Sequence, residues 1–555
     1  MSDAVIGALS FPVLLGLIFM RVPIGLAMFT VGFGGLVFVN GDAFVAVARL
    51  KSETYTTFSS YSLSIIPMFL LMGNFATLSG MSQALFKAAE SWLGHRKGGV
   101  AMAAIGACAG FGAICGSSLA TAATMSRVAL PELKRYGYSG GFSSATLAAG
   151  GTLGILIPPS VVLVVYAILT EQNIAKMFLA AFVPGIIAAL GYVIVISIYV
   201  RLFPASAGTR ARMPYIERFK ALFDVWPVLL VFGTVVGGIY LGWFTPTEGA
   251  AVGALGTGVI AWFAGGINSA SLAESFYVTA RSTAMIFFIV LGAAFYNGFL
   301  ALTQVPQEIA AWVVDQGVSP WMVLIFILVL YLLLGCVMDS LSMILLTIPI
   351  FWPIMMELDF GFVSMMDLHA AKLDTAIKDG VSAWDGLIRG SIPNLSDAKF
   401  ERLLDKTNAQ AALLGFGSVA DAATLSLSQN QIIAIVNETT PEMVQQARDV
   451  VASGGELSRE LLRELNIRAA NESALNRINI EQTAIWFGIL VLIVVEVGLI
   501  TPPVGMNLFI INAMDRSTPI VETYKAVLFF VASDLFRVVL LVAFPAITLF
   551  LISWY

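Results

Sequence analysis

Charge is scarce in this sequence. Asp, Glu, Lys and Arg make up 12% of 555 residues, about half the ~25% usual for soluble domains. That excludes an ordinary water-soluble globule, and equally a disordered chain, which needs high charge and few apolar residues. Histidine is scarcer still. His95 and His369 lie far apart with no acidic companions at ligand spacing, which excludes a multi-histidine metal site and leaves haem ligation unsupported. The three cysteines, Cys108, Cys115 and Cys336, sit singly inside apolar runs and read as small hydrophobes rather than a disulfide or zinc framework. No phosphate-binding G-x-x-x-x-G-K-[ST] loop is present, and Gly150-Gly151-Thr152-Leu153-Gly154 lacks the strand–turn–helix setting that such chemistry needs. The net charge of −5 offers no footprint for nucleic acid. With no nucleophile–base set, the chain is not expected to be an enzyme, and no cofactor is expected.

What is abundant is apolar surface. Hydrophobic residues make up 58% of the chain and the mean hydropathy is +0.88, so the chain is an integral membrane protein. About 20 apolar residues cross the hydrocarbon core as a helix. Candidate spans are 4–20, 22–40, 57–79, 141–169, 177–200, 222–243, 246–266, 276–302, 484–513 and 521–552. The first is not a signal peptide: it carries Asp3, no preceding Lys or Arg, and runs into a second apolar segment.

Two further runs behave differently. Residues 98–130 are broken near the middle by Gly110, Gly112 and Gly116, and basic residues flank both ends. Halves of about 15 residues are short for a crossing, so the run reads as a re-entrant hairpin opening to the cytoplasm. Residues 320–356 are its twin, broken at Gly335-Cys336-Val337-Met338-Asp339 and flanked by Asp315, Glu357 and Asp359, which points outward. Ser118 and Ser340 stand 222 apart, as do Pro131 and Pro353. Gly154-Ile155-Leu156-Ile157-Pro158-Pro159 and Gly498-Leu499-Ile500-Thr501-Pro502-Pro503 stand 344 apart. The chain is therefore an inverted repeat with about 122 extra residues in its second half. Residues 361–480 hold 26 of the 65 charged residues and read as a polar helical insertion, with helix-like patches at 396–416 and 440–477, on the periplasmic face. Threading places 14 basic residues in inner loops and three, Arg49, Lys51 and Lys176, in outer ones, which sets the N-terminus outside. The expected domains are scaffold helices 1–80, a first repeat 81–200, connecting helices 201–275, a second repeat 276–357, the insertion 358–481, and 482–555 completing the second repeat. The fold class is an all-α polytopic membrane protein of about ten transmembrane helices plus two re-entrant hairpins.

The chemistry resides where the helices break. Proline removes an N–H and clashes with the preceding turn, so two in succession unwind a span. Free carbonyls at that depth survive only when buried in protein or bound to something. Unwound carbonyls suit a dehydrated cation and half-helix N-termini suit an anionic substrate group. The hydroxyls of Ser117, Ser118, Thr121, Ser340, Ser342 and Thr501 are available as neutral ligands. Asp339 reads either as an ion or hairpin-tip residue or as the N-cap of the helix after it. Asn507 reads either as a substrate contact or as an interhelical hydrogen bond. Glu496 tunes ion coupling or makes a buried hydrogen bond. Asp534 and Arg537 should pair at i, i+3, and Glu248 should cap a helix.

Gly116-Ser117-Ser118-Leu119-Ala120-Thr121, Gly154-Ile155-Leu156-Ile157-Pro158-Pro159-Ser160, Thr245-Pro246-Thr247-Glu248-Gly249, Met338-Asp339-Ser340-Leu341 and Thr501-Pro502-Pro503-Val504-Gly505-Met506-Asn507 together resemble the large membrane subunit of tripartite ATP-independent periplasmic (TRAP) transporters, over about 1–357 and 482–555. The resemblance implies a scaffold and a mobile domain working as an elevator in the bacterial inner membrane. It implies uptake of a small organic acid driven by Na⁺, a small four-helix membrane subunit, and a periplasmic substrate-binding protein. It points to one Na⁺ site at Gly112, Ser117, Gly154, Ile157 and Pro159, and another at Gly335, Gly498, Thr501 and Val504, with substrate near Ser118, Asp339, Ser340 and Asn507. The family often has Ser where this chain has Gly112 and Cys115, so the first site would rely on backbone carbonyls. Because the chain begins directly with the large-subunit pattern, the small subunit is not expected to be fused at its N-terminus. The alternative is a stand-alone Na⁺-coupled symporter of related elevator fold.

Overall fold

The computed structural model describes residues 2–393 and 395–552, and these contain helices and no strand. The chain forms two compact units. The first comprises residues up to Leu358 together with Thr483 onward, and the second is Asp359–Gln482. The sequence boundary between them falls inside the helix Glu472–Ile500.

Among the described residues, four helices are long and apolar enough to cross a membrane: Ile174–Leu202, Ser269–Thr303, Glu472–Ile500 and Ile520–Ala543. The number rises to seven if each bent helix pair is one span. The runs 4–20 and 22–40 also fold as apolar helices, Asp3–Phe19 and Ile24–Asn40, of 17 residues each, just short of that length, and other runs turn or stop where hydropathy gives no sign. The run 57–79 is divided at Ser60-Tyr61. A helix Phe44–Ser59, unassigned from sequence, meets Ser62–Leu78 at 52°. The run 222–243 belongs to a pair, Tyr215–Phe223 and Trp226–Tyr240, bent by 40°. The last run ends at Ala543, two residues before Pro545, rather than at 552. The span expected at 484–513 begins twelve residues earlier, at Glu472.

Both glycine-broken runs fold as helical hairpins. The first is Gly99–Cys115 followed by Ser118–Arg135, and the second is Pro320–Gly335 followed by Ser340–Met356. The break in the first lies at Gly116-Ser117 alone. Gly116 adopts φ +64°, which a side chain disfavours. Gly110 and Gly112, expected to help break the run, lie within the helix. Ser117 Oγ caps the second arm by accepting from Ala120 N, and Asp339 caps its counterpart by accepting from Ser342 N at 3.0 Å. The spans Gly140–Leu156 and Val161–Leu169 are separated by the first proline pair, with a bend of 45°. Glu472–Ile500 and Met506–Met514 are separated by the second.

The second unit builds its own core from amphipathic helices. Leu373, Ile433, Val444, Leu457 and Leu462 form one buried cluster, and Trp384, Leu387, Ala411 and Ile435 another. The patch 396–416 folds as Asp397–Leu413. The patch 440–477 divides into Pro441–Ala452, Arg459–Glu464 and the start of Glu472–Ile500, interrupted at Gly454-Gly455, where Gly454 takes φ +73°.

Candidate ion and substrate site

Each proline pair strips its helix of donors. In an α-helix the N–H of residue i bonds the carbonyl of i−4. Prolines at 158 and 159 therefore deprive the carbonyls of Gly154 and Ile155 of their i+4 donors, and prolines at 502 and 503 do the same for Gly498 and Leu499. Thr501 N–H donates to the Gly498 carbonyl at 3.1 Å, and Tyr524 Oη donates to Pro503 O at 2.6 Å.

A hairpin tip lies against each break, and paired glycines make the approach possible. A β-carbon on Gly112 would stand 2.5 Å from Gly154 Cα, and one on Gly154 would stand 2.6 Å from Thr121 Oγ1 and 2.9 Å from the Ser117 carbonyl. One on Gly116 would stand 3.3 Å from the Pro159 carbonyl. In the second repeat a β-carbon on Gly498 would stand 2.6 Å from Gly335 Cα, and Gly505 N–H donates to the Cys336 carbonyl at 3.4 Å. The structure thus brings Gly112, Ser117, Gly154 and Pro159 together, and separately brings Gly335, Gly498 and Thr501 together. Ile157 and Val504 lie on the unwound stretches, partly buried.

The hydroxyls are engaged unevenly. Ser117 Oγ is used by its cap, and Thr501 Oγ1 donates to Val497 O at 2.6 Å; both keep a lone pair. Buried Thr121 Oγ1 has no partner beyond the Cys115 thiol and lies beside Gly154. Asp339 is half-buried and serves as an N-cap. Asn507 is fully buried, donates from Nδ2 to Ala148 O at 3.4 Å, and leaves Oδ1 unpartnered. It ties the second unwound stretch to the helix carrying the first. Ser118 and Ser340 both border the buried Glu496 side chain; Ser340 Oγ donates to Glu496 Oε1 at 3.1 Å. Glu496 was a secondary candidate in the sequence, where nothing marks it as touching both hairpins. Asp534 and Arg537 pair at 2.9 Å, and Thr245 and Glu248 form a capping box.

Comparison with known proteins gives this arrangement a lineage. Residues 11–366 and 472–547 match the family described as tripartite ATP-independent periplasmic transporter, DctM component; most of the second unit lies outside the match. A C4-dicarboxylate TRAP transporter large permease protein DctM of Pseudomonas aeruginosa is 40% identical over 318 residues, 56% of this chain and 73% of the relative. Its namesake in Rhodobacter capsulatus is 28% identical over 71% of this chain and 93% of the relative. A sialic acid TRAP transporter large permease protein, SiaM, of Vibrio cholerae is 28% identical over 64% of this chain and 83% of the relative. The mirrored helix breaks, the hairpins seated on them and the family match over both halves of the repeat lead to one assignment: this chain belongs to the large permease, or DctM, family of TRAP transporters.

Proposed function

We propose that this chain imports a small organic acid across the bacterial inner membrane as a Na⁺ symporter. A periplasmic binding protein delivers the substrate, and a small four-helix membrane subunit completes the assembly. The supporting observation is the duplicated seating of a glycine-bearing hairpin against a proline-broken helix. Gly112, Ser117, Gly154, Ile157 and Pro159, with Thr121, hold one Na⁺; Gly335, Gly498, Thr501 and Val504 hold the other. Substrate carboxylate lies between the hairpin tips, near Ser118, Asp339, Ser340 and Asn507, where the second-arm helices Ser118–Arg135 and Ser340–Met356 begin. The hairpins act as gates, each opening to one side, and the domain that carries them moves as an elevator. The insertion lies on the periplasmic side.

Two of the three relatives bear C4-dicarboxylate in their names and the third sialic acid, all acids, so succinate is the first substrate to test. In proteoliposomes holding the chain with its small subunit and binding protein, succinate uptake should require an inward Na⁺ gradient. Uptake indifferent to Na⁺ would remove the ion from this reading. Uptake by this chain with no binding protein would favour the stand-alone symporter.

A further inference from the structure

The Arg218 guanidinium is buried without an acid. Arg218 is 3% exposed, and no carboxylate meets it among the described ion pairs. Its Nε donates to the Met213 carbonyl at 3.0 Å, and its Nη2 has no hydrogen-bond partner. Two neighbouring polar atoms, Trp92 Nε1 and His95 Nδ1, are also buried and unpartnered. The guanidinium carbon of Arg218 stands 5.8 Å from the centre of the Trp92 ring and 5.0 Å from that of the Tyr215 ring. Taking a charge out of water without a counter-ion is costly, so the pocket's own charge favours an anion.

Two elements build the pocket. Trp92 lies in the last turn of the helix Met81–Leu93, and His95 follows it. Arg218 and Ala221 form the buried face of the nine-residue helix Tyr215–Phe223, whose Phe219 meets the Trp92 ring edge-on at 5.5 Å. The loop before that helix is pinned: Arg210 N–H donates to the Gly94 carbonyl at 3.0 Å, and the Arg210 side chain pairs with buried Glu90 at 2.8 Å. Glu90 is thus occupied. The exposed charge nearby is mostly positive, with Arg96, Lys97, Arg212 and Lys220 against Glu217 and Asp224. Burial, together with the charges of Arg218, Arg212 and Arg96, holds the His95 imidazole below the usual histidine pKa, so three guanidinium groups bear on one ring. Beside this basic patch Tyr215, Phe219, Leu222 and Trp226 are all exposed and follow one another at spacings of three or four. The stripe runs into the apolar segment Trp226–Tyr240, bent from it by 40°. An apolar stripe flanked by basic residues suits a helix lying in the headgroup layer, and tryptophan favours that depth.

We propose that Arg218, Trp92 and His95 hold the phosphate of an anionic phospholipid from the cytoplasmic leaflet, the side on which the basic loops belong. The phosphate oxygens accept from Arg218 Nη2 and Trp92 Nε1, and a planar guanidinium matches phosphate geometry. The exposed Arg96 and Arg212 add charge around the headgroup. Arg212 donates to Tyr215 Oη at 2.7 Å, and these two exposed side chains turn aside to admit the lipid. The acyl chains leave along the stripe of Tyr215, Phe219, Leu222 and Trp226. A lipid is favoured over a soluble anion because that stripe and the pocket share one helix. The bound headgroup fixes the helix Tyr215–Phe223 against Met81–Leu93, and so ties the start of a span to the helix that leads into the first hairpin.

Native mass spectrometry of the full chain, released from detergent containing equal phosphatidylglycerol and phosphatidylcholine, counts the lipid directly. A phosphatidylglycerol adduct should dominate. Arg218→Gln should lose it, and Lys51→Gln, which removes an exposed cation from another helix, should keep it. A buried arginine can matter for folding, so the exposed positions provide a second reading. Arg96→Gln and Arg212→Gln should each weaken the adduct about fivefold, the scale of one basic residue beside an anionic headgroup, with the Tm unchanged. An adduct retained in all three arginine variants, or phosphatidylcholine held equally well, would overturn the site. Inorganic phosphate that displaced the adduct and raised the Tm as far as phosphatidylglycerol does would make the ligand a soluble anion, which also overturns it. None of these readouts involves Na⁺, succinate or a binding protein, so the transport reading stands or falls separately.

Discussion

A single hydrogen atom decides much of this site, because glycine is the only residue that lets a hairpin tip reach the unwound backbone. A methyl group on Gly498 would overlap Gly335 at 2.6 Å, with backbone on both sides and no flexible side chain to yield. Gly498→Ala should therefore cost about 1–3 kcal/mol, the scale of overpacking a filled core. The expected result is a lower Tm for the purified chain and loss of Na⁺-stimulated uptake; an unchanged Tm would mean that the contact is loose. Thr501 tests side-chain against main-chain ligation. Its Oγ1 already donates to Val497 O, so only a lone pair remains for an ion. Thr501→Ala should raise the Na⁺ concentration for half-maximal uptake roughly tenfold, the equivalent of about 1–2 kcal/mol for one lost polar contact. No change would assign Thr501 a backbone role alone.

Among the elements, the helices of the second unit depend on their first turns. Asp367 and Asp421 close capping boxes with Ser364 and Ser418. The Ser364 hydroxyl and N–H hold the Asp367 carboxyl below the usual carboxylate range, and the Ser418 N–H and hydroxyl do the same for Asp421. A depressed folded-state pKa adds stability above the unfolded-state pKa and loses it as pH falls through the folded value. On acidification through the carboxylate range, the Met365–Arg389 helix should fray at its first turn. Limited proteolysis of the full chain at graded pH should show new cleavage near residues 364–368, and Asp367→Asn should show it already at neutral pH. Cleavage independent of pH would mean that the box contributes nothing. The hairpins follow another logic: Ser117 and Asp339 cap the second arms, so each tip is a fixed turn and not a slack loop.

For the whole molecule, the insertion has its own hydrophobic clusters, and the family match omits residues 367–471. Replacing 367–471 by a short Gly/Ser linker should leave the remainder folded, with a monodisperse elution profile and a Tm within a few degrees of the parent. Aggregation of the deleted chain would show that the permease depends on it. The deletion ends before Glu472 because that helix continues unbroken to Ile500. Ending it at 480, as hydropathy alone suggests, would cut into the helix.

The residues themselves determined that this is a membrane protein, that its two halves repeat, and that Pro158-Pro159 and Pro502-Pro503 interrupt helices. Proline lacks an N–H wherever it is placed, and a charge-poor chain must bury its backbone in helices. Composition could not separate a glycine that turns the chain, Gly116, from one that permits contact, Gly112, since both lack the same atom and only a neighbour distinguishes them. Hydropathy could not find Phe44–Ser59, which turns from apolar residues at Phe44–Ala48 to mostly polar ones after Arg49, or the early start at Glu472, because polar helices and polar loops have the same average. Tertiary structure alone decided that Ser118 and Ser340, 222 positions apart, meet one carboxyl, and that Asp534 rather than Glu496 holds Arg537. Proximity between distant positions follows from packing, and so does the choice of which acid an arginine meets.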